Sequence, residues 1–130
     1  MKVLALDYGS ARTGVAVSDP TGTLARPLGI VERAATKDGL AQLERLVREE
    51  EVERIVVGLP LTLRGERGEQ AAETEGFVEA LRSAVGVPVE LYDERFTTDL
   101  AQQTAGAAPE DALAAAHLLT TYLEWCAARS

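Results

Sequence analysis

Three carboxylates stand at places where a sequence built only for packing has little use for an acid. Asp7 closes the apolar run Val3 to Leu6, Glu94 closes the run VPVELY, and Asp111 falls in the first turn of the helix that Pro109 opens. Asp111 shares a helical stripe with Ala115, Leu118 and Tyr122, which turns it toward the packed side of that helix rather than toward water. Brought together, two carboxylates ~5 Å apart repel by about 3 kcal/mol at an effective dielectric of 20, so the group requires protons or a cation. Oxygen donors with no histidine nearby suit a hard divalent ion, Mg²⁺ or Mn²⁺, rather than zinc. Two such ions ready a water for in-line attack on a phosphodiester and steady the leaving oxygen, so no nucleophilic side chain is needed. Each acid also has an ordinary role open to it. Asp7 suits a turn before Gly9, Glu94 suits a loop pair with Arg95, and Asp111 suits the helix dipole, although Glu110 already fills that place.

The neighbouring polar residues fit phosphate handling. Gly9 and Gly14 permit close backbone approach, Arg12 lies beside Asp7 in the next turn, and Arg95 adjoins Glu94. Thr97 and Thr98 either cap a short helix or offer hydroxyls to a phosphate. Arg64 and Arg67, bracketed by Gly65 and Gly68, read first as solvated loop charge and second as a clamp over substrate. His117, the single histidine, lies off the Asp111 stripe and reads as a flank residue. Tyr122 and Trp125 stand at core spacing and read as packing residues, and Cys126 reads as a small apolar residue.

These residues depend on the elements that carry them. Val3 to Leu6 is apolar on both faces, as in a central strand, and Thr13 to Ser18 is a second strand joined to it by the short connection YGSAR, which predicts an antiparallel hairpin. Arg26 to Glu32 is a third strand after DPTGT. Thr36 or Asp38 caps a helix to about Glu51, with Leu40, Leu43, Leu46 and Val47 as its apolar stripe. Glu53 to Leu59 is a short buried strand, and Glu69 to Val85 a second helix facing inward through Phe77, Val78, Leu81 and Val85. VPVELY is a fifth strand, a short helix follows Thr97 and Thr98, and a last helix runs from Pro109 to about Ala128. Three strands followed by alternating helices and strands predict an α/β domain with a five-stranded mixed sheet, the ribonuclease H-like arrangement.

The chain has 130 residues, 46% hydrophobic and 26% charged, which fits one globular domain over 1–130 and excludes collagen-like and wholly disordered classes. No apolar run approaches the ~20 residues of a bilayer crossing, and the MKVLALDYGS start lacks a signal-peptide pattern, so a cytoplasmic protein without a membrane partner is expected. The net charge of −8 runs against a nucleic-acid partner, but eleven of the 21 acids lie between Asp38 and Glu79, in two helices whose outer faces can hold them away from the carboxylate end.

Four blocks, DYGSARTGVAVSD at 7–19, IVVGLPL at 55–61 with the glycines that follow, YDERFTT at 92–98 and DALAAAHLLTTYLE at 111–124, resemble the YqgF (RuvX) family of Holliday junction resolvases, also regarded as nucleases that mature the ends of pre-16S ribosomal RNA. The resemblance covers nearly the whole chain. It implies a ribonuclease H-like fold, divalent-metal hydrolysis of phosphodiesters, and an acidic triad on Asp7, Glu94 and Asp111, with Asp93 as the residue that could share the role of Glu94. The implied partners are structured RNA or four-way DNA junctions, with ribosomal particles a further one. Ala11 stands where family members often carry a lysine, and the loop 104–110 lacks their basic residues, so the expected nucleic-acid affinity is modest and salt-dependent.

Two other functions remain open at this level. A nucleic-acid-binding module without catalysis fits the same fold but has no need of three acids, and DYGSARTG also resembles the first phosphate loop of actin-like and sugar-kinase ATPases, which use two such domains. A monomer serves for RNA trimming, whereas symmetric cutting of a junction needs a homodimer.

Overall fold

The computed structural model describes residues 1–9, 11–59, 69–93 and 110–129. Its chain order is β1 (Val3–Asp7), β2 (Arg12–Ser18), β3 (Ala25–Glu32), α1 (Lys37–Glu49), β4 (Arg54–Leu59), α2 (Glu69–Ala84), β5 (Val89–Asp93) and α3 (Glu110–Arg129). The strands form one mixed sheet in the order β3-β2-β1-β4-β5, with β1–β2 and β2–β3 antiparallel and β1–β4 and β4–β5 parallel. The expected five-stranded ribonuclease H-like arrangement is therefore present. The fifth strand starts at Val89 rather than Val87, because Pro88 has no N–H to donate and enters the ladder only through its carbonyl, which accepts from Ile55 at 2.9 Å. The short helix expected after Thr97 and Thr98 lies outside the described residues.

Strand alternation divides the core between the two faces of the sheet. Leu4, Leu6, Val15, Val17, Ile55 and Val57 meet Leu43 and Val47 of α1 and Phe77, Val78 and Leu81 of α2. Val3, Ala5, Ala16 and Val56 face the other way and meet Ala115, Leu118, Leu119 and Tyr122 of α3. The small side chains of Ala5, Ala16 and Ala115 let this one helix lie close on the sheet.

Of the two residues that could cap α1, Thr36 is the one used. Its Oγ1 accepts from the Gly39 N–H at 3.1 Å. At the other end Glu51, with φ 54, donates to the Arg48 carbonyl, and Val52 donates to that of Val47 at 2.9 Å. This left-handed closure stops the helix at Glu49, short of the expected Glu51. Thr36→Ala orphans the Gly39 N–H and is expected to cost about 1 kcal/mol, read as a lower urea midpoint at unchanged slope.

The β2–β3 connection is held by one carboxylate. Asp19 accepts from the Thr21 hydroxyl at 2.6 Å and from the Thr23 and Leu24 N–H groups at 2.8 and 3.1 Å. These bonds, the Thr21 hydroxyl first among them, hold its pKa down to about 2. A depressed carboxylate pKa stabilises the fold above the unfolded value near 4 and loses that contribution as pH falls toward 2. NMR titration of the Asp19 carboxyl is expected to give a midpoint near 2, with the Thr23 and Leu24 amides shifting in step.

Candidate active site at the carboxyl edge of the sheet

Parallel pairing puts the carboxyl ends of β1, β4 and β5 on one edge. Leu6 is level with Val57, and Gly58 with Tyr92, so Asp7 ends its strand in the same row as Gly58 and Tyr92. Across the antiparallel side, Asp7 is opposite Gly14, and Gly14 is opposite Ile30. Alternation gives Asp7 the face of Val3 and Ala5, which is the face α3 covers. The direction of α3 follows from its far end. The Arg54 guanidinium, at the start of β4, donates to Tyr122 Oη at 3.0 Å, and Met1, Val3, Tyr122, Leu123 and Cys126 line a common cavity. Asp111 precedes Tyr122 by eleven residues, about 16 Å of helix, while Val3 to Asp7 spans about 13 Å of strand. This length directs the first turn of α3 toward the carboxyl edge where Asp7 stands.

The backbone after Asp7 is tightly built. A Cβ on Gly9 would lie 2.5 Å from the Arg12 carbonyl oxygen, so no larger residue fits without moving the turn. Thr13, fully buried, fills the inside of this turn, its hydroxyl 3.4 Å from the Gly9 carbonyl and 3.5 Å from the Gly9 N–H. Tyr8 points to the opposite face from Asp7 and stacks on Phe77 of α2, ring centres 4.5 Å apart at 17°. Burial, with the Glu73 carboxylate nearby, pushes the Tyr8 phenol pKa up, so it stays protonated. Tyr8 and Thr13 were not singled out from sequence. A small polar residue inside an apolar strand was the available signal for Thr13, and an aromatic ring directly after a strand-end acid was the signal for Tyr8.

Of the other expected site residues, Arg12 begins β2 at this edge, exposed, with Glu32 opposite it. Asp93 is the last residue of β5, one step beyond the Asp7 row. Glu94, Arg95, Thr97 and Thr98 lie outside the described residues, as do Arg64, Gly65, Arg67 and Gly68. Asp111 is the second residue of α3. His117 is half-buried on α3, and Tyr122 is buried as expected. Trp125 packs on an aromatic cluster, 5.9 Å from Tyr92 and 6.1 Å from Tyr122, but at its rim, where it is 43% exposed. Burial and the Glu90 carboxylate raise the Tyr122 pKa.

Among the described residues no three His, Cys, Asp or Glu side chains form a metal-sized group. Of the described donors, the Cys126 thiol packs at the far end with Val3 and Tyr122, while Asp7 ends β1 at this edge with a carboxylate, a donor that suits a hard divalent cation. No helix among the described residues is long and apolar enough to cross a membrane.

A family model described as RuvX, Holliday junction resolvase, matches residues 1–125. A protein of Chloroflexus aurantiacus named "Putative pre-16S rRNA nuclease" is 44% identical, covering 94% of this chain and 86% of its own. One of the same name from Syntrophomonas wolfei is 38% identical, over 95% and 94%. Among solved structures, T. thermophilus RuvC in complex with Holliday junction substrate aligns with a TM-score of 0.62 at 22% identity, over 98% of this chain and 96% of that one. The fowlpox virus Holliday junction resolvase aligns with 0.57 at 12% identity, over 96% and 99%. These two likenesses establish a shared ribonuclease H-like fold.

Proposed function

The chain belongs to the RuvX family, and on that premise we propose that it is a divalent-metal-dependent endonuclease of structured nucleic acid that processes the ends of pre-16S ribosomal RNA. The observation that carries this reading is Asp7, the terminal residue of a central strand, on the face covered by α3 and at the edge to which that helix returns its acidic first turn. Asp7, Glu94 and Asp111 are the residues that would hold the cation, Mg²⁺ or Mn²⁺, with Asp93 next to Glu94 in sequence. When bound, the cation supplies Lewis acidity to a phosphoryl oxygen and makes water a competent nucleophile at neutral pH. The chain's own groups do the remainder. Asp7 keeps an anionic oxygen on the edge, fixed by the Tyr8–Phe77 stack on the opposite face. Gly9 keeps the turn free of a side chain, so that a phosphate can come close to the backbone. Arg12, exposed in the adjoining strand, offers a fork of donors to a phosphate. Arg95, Thr97 and Thr98 supply further phosphate contacts. The site sits in residues 1–130 acting as one cytoplasmic domain, with ribosomal particles as a partner.

The name of the family supports a second reading, resolution of four-way DNA junctions, which a homodimer would perform and a monomer would not. The test sets a labelled pre-16S precursor beside a synthetic junction, each with Mg²⁺, Mn²⁺ or EDTA. Metal-dependent release of the mature RNA end is expected. Cutting of the junction alone selects the second reading, and binding of both substrates with cleavage of neither overturns catalysis.

A further inference from the structure

The carboxyl edge holds two more cations that neither the acidic group nor its flanking residues account for. Arg12 is level with Glu32, and the next residue, Arg33, donates its N–H to the Ala11 carbonyl at 3.0 Å, which ties the β3–α1 connection to the hairpin turn beside Asp7. Lys37 follows as the first residue of α1. Both side chains are exposed.

Elsewhere the described cations are neutralised: Lys2 and Arg26 by Glu50, Arg48 by Glu44, Arg82 by Glu79, while Arg54 is engaged by Tyr122. Arg33 and Lys37 make no ion pair with a described carboxylate. Arg45, further along α1, shares that state but lies mid-helix in a groove with two acids, Asp38 and Glu49, whereas Lys37, at the helix start, lines a groove with one, Glu44, beside Ala84 of α2.

Each of the two is also placed against local preference. Arg33 has φ 49, a conformation that a long side chain adopts at a cost and that glycine adopts freely. Lys37 puts a positive charge on the positive end of a helix dipole. Local rules broken twice at one spot, on the edge of the candidate site, point to a task outside the fold itself.

We propose that Arg33 and Lys37 bind backbone phosphates of the nucleic acid that flank the cleavage point, extending the contact of Arg12 along the β3–α1 connection. The inference rests on the nuclease reading above. Two strand spacings separate β1 from β3, about 10 Å, a distance that keeps the phosphates next to the cleavage point within reach. Glu32 and Asp38 stand beside the two cations, so each contact is an individual one rather than a broad positive field. This ridge gives a chain of net charge −8 a sequence-independent grip close to its carboxylates.

The test measures binding without cleavage, by fluorescence anisotropy in EDTA, of a labelled RNA hairpin and a four-way DNA junction between 50 and 200 mM salt. Arg33→Gln and Lys37→Gln are each expected to reduce the slope of log K against log salt by about 1, and the double variant by about 2. Arg33→Lys retains the slope. Arg33→Gly, whose φ suits glycine, loses it without a lower thermal midpoint, which separates the lost contact from a damaged fold. Arg26→Gln, at the opposite end of the sheet, leaves both affinity and slope unchanged. Loss on both substrates assigns the ridge to phosphate alone, and loss on one identifies the nucleic acid it meets. Parental slopes in both glutamine variants, with the parent still binding and cleaving, overturn this inference and leave the nuclease reading standing. A parent that binds neither substrate overturns both.

Discussion

Asp7→Asn is expected to reduce cleavage of the preferred substrate by a factor of about a thousand or more while leaving binding intact. The amide is nearly isosteric with the carboxylate, so Tyr8 stays on Phe77 and the Gly9 turn keeps its shape. What is lost is the anionic oxygen at the carboxyl edge. A metal-assisted step draws several kcal/mol of charge stabilisation from its ion, and each 1.4 kcal/mol is tenfold in rate. Removing a negative charge from a surface that meets phosphate also holds or improves affinity, so binding and cleavage separate in this variant. Single-turnover cleavage with Mn²⁺ and anisotropy in EDTA, on the same preparation, give both numbers. Undiminished cleavage by the variant would remove Asp7 from the proposed site, whatever its place on the strand.

A second large effect is expected far from any carboxylate. Gly39 is the third residue of α1, and by helix propensity alone its replacement by alanine adds about 1 kcal/mol of stability. The structure reverses that sign. A Cβ there would lie 2.3 Å from the Arg33 carbonyl oxygen and 2.5 Å from the Ala34 Cα. Both neighbours are backbone, and Ala34 is fully buried, so neither can yield as the end of a flexible side chain would. Gly39→Ala is expected to destabilise by about 2–3 kcal/mol, the upper part of the usual range of overpacking. That corresponds to a thermal midpoint lower by roughly 10 °C. A variant with raised stability would refute the close approach. Because the Arg33 N–H ties this connection to Ala11, the same substitution disturbs the Arg12 end of β2, and weakened nucleic-acid binding should accompany the lost stability.

Most of the framework was legible in the residues because it is local. The apolar runs Val3 to Leu6 and Thr13 to Ser18, the stripe from Leu40 to Val47, and the cap at Thr36 each act within a few residues of themselves. The element boundaries that shifted did so for equally local reasons, the missing N–H of Pro88 and the left-handed Glu51. Trp125 packs on Tyr92 and Tyr122, but spacing along a helix says which residues share a stripe and not which of them stand at its rim.

The sequence by itself determined that Asp7 ends a buried strand, that Asp111 opens a helix, and that the chain belongs with nucleases of one fold. Only the tertiary structure decided which ends meet. The parallel β1–β4–β5 ladder sets the carboxyl ends of three strands on one edge, and the packing of α3 on the face of Val3 and Ala5 directs a first turn distant in sequence toward that edge. The same sheet order carries Arg33 to that edge, while the approach of Gly39 to the Arg33 carbonyl arises within the β3–α1 connection. Local periodicity fixes the face on which a residue lies, whereas the coincidence of ends distant in sequence arises only when the packed sheet closes.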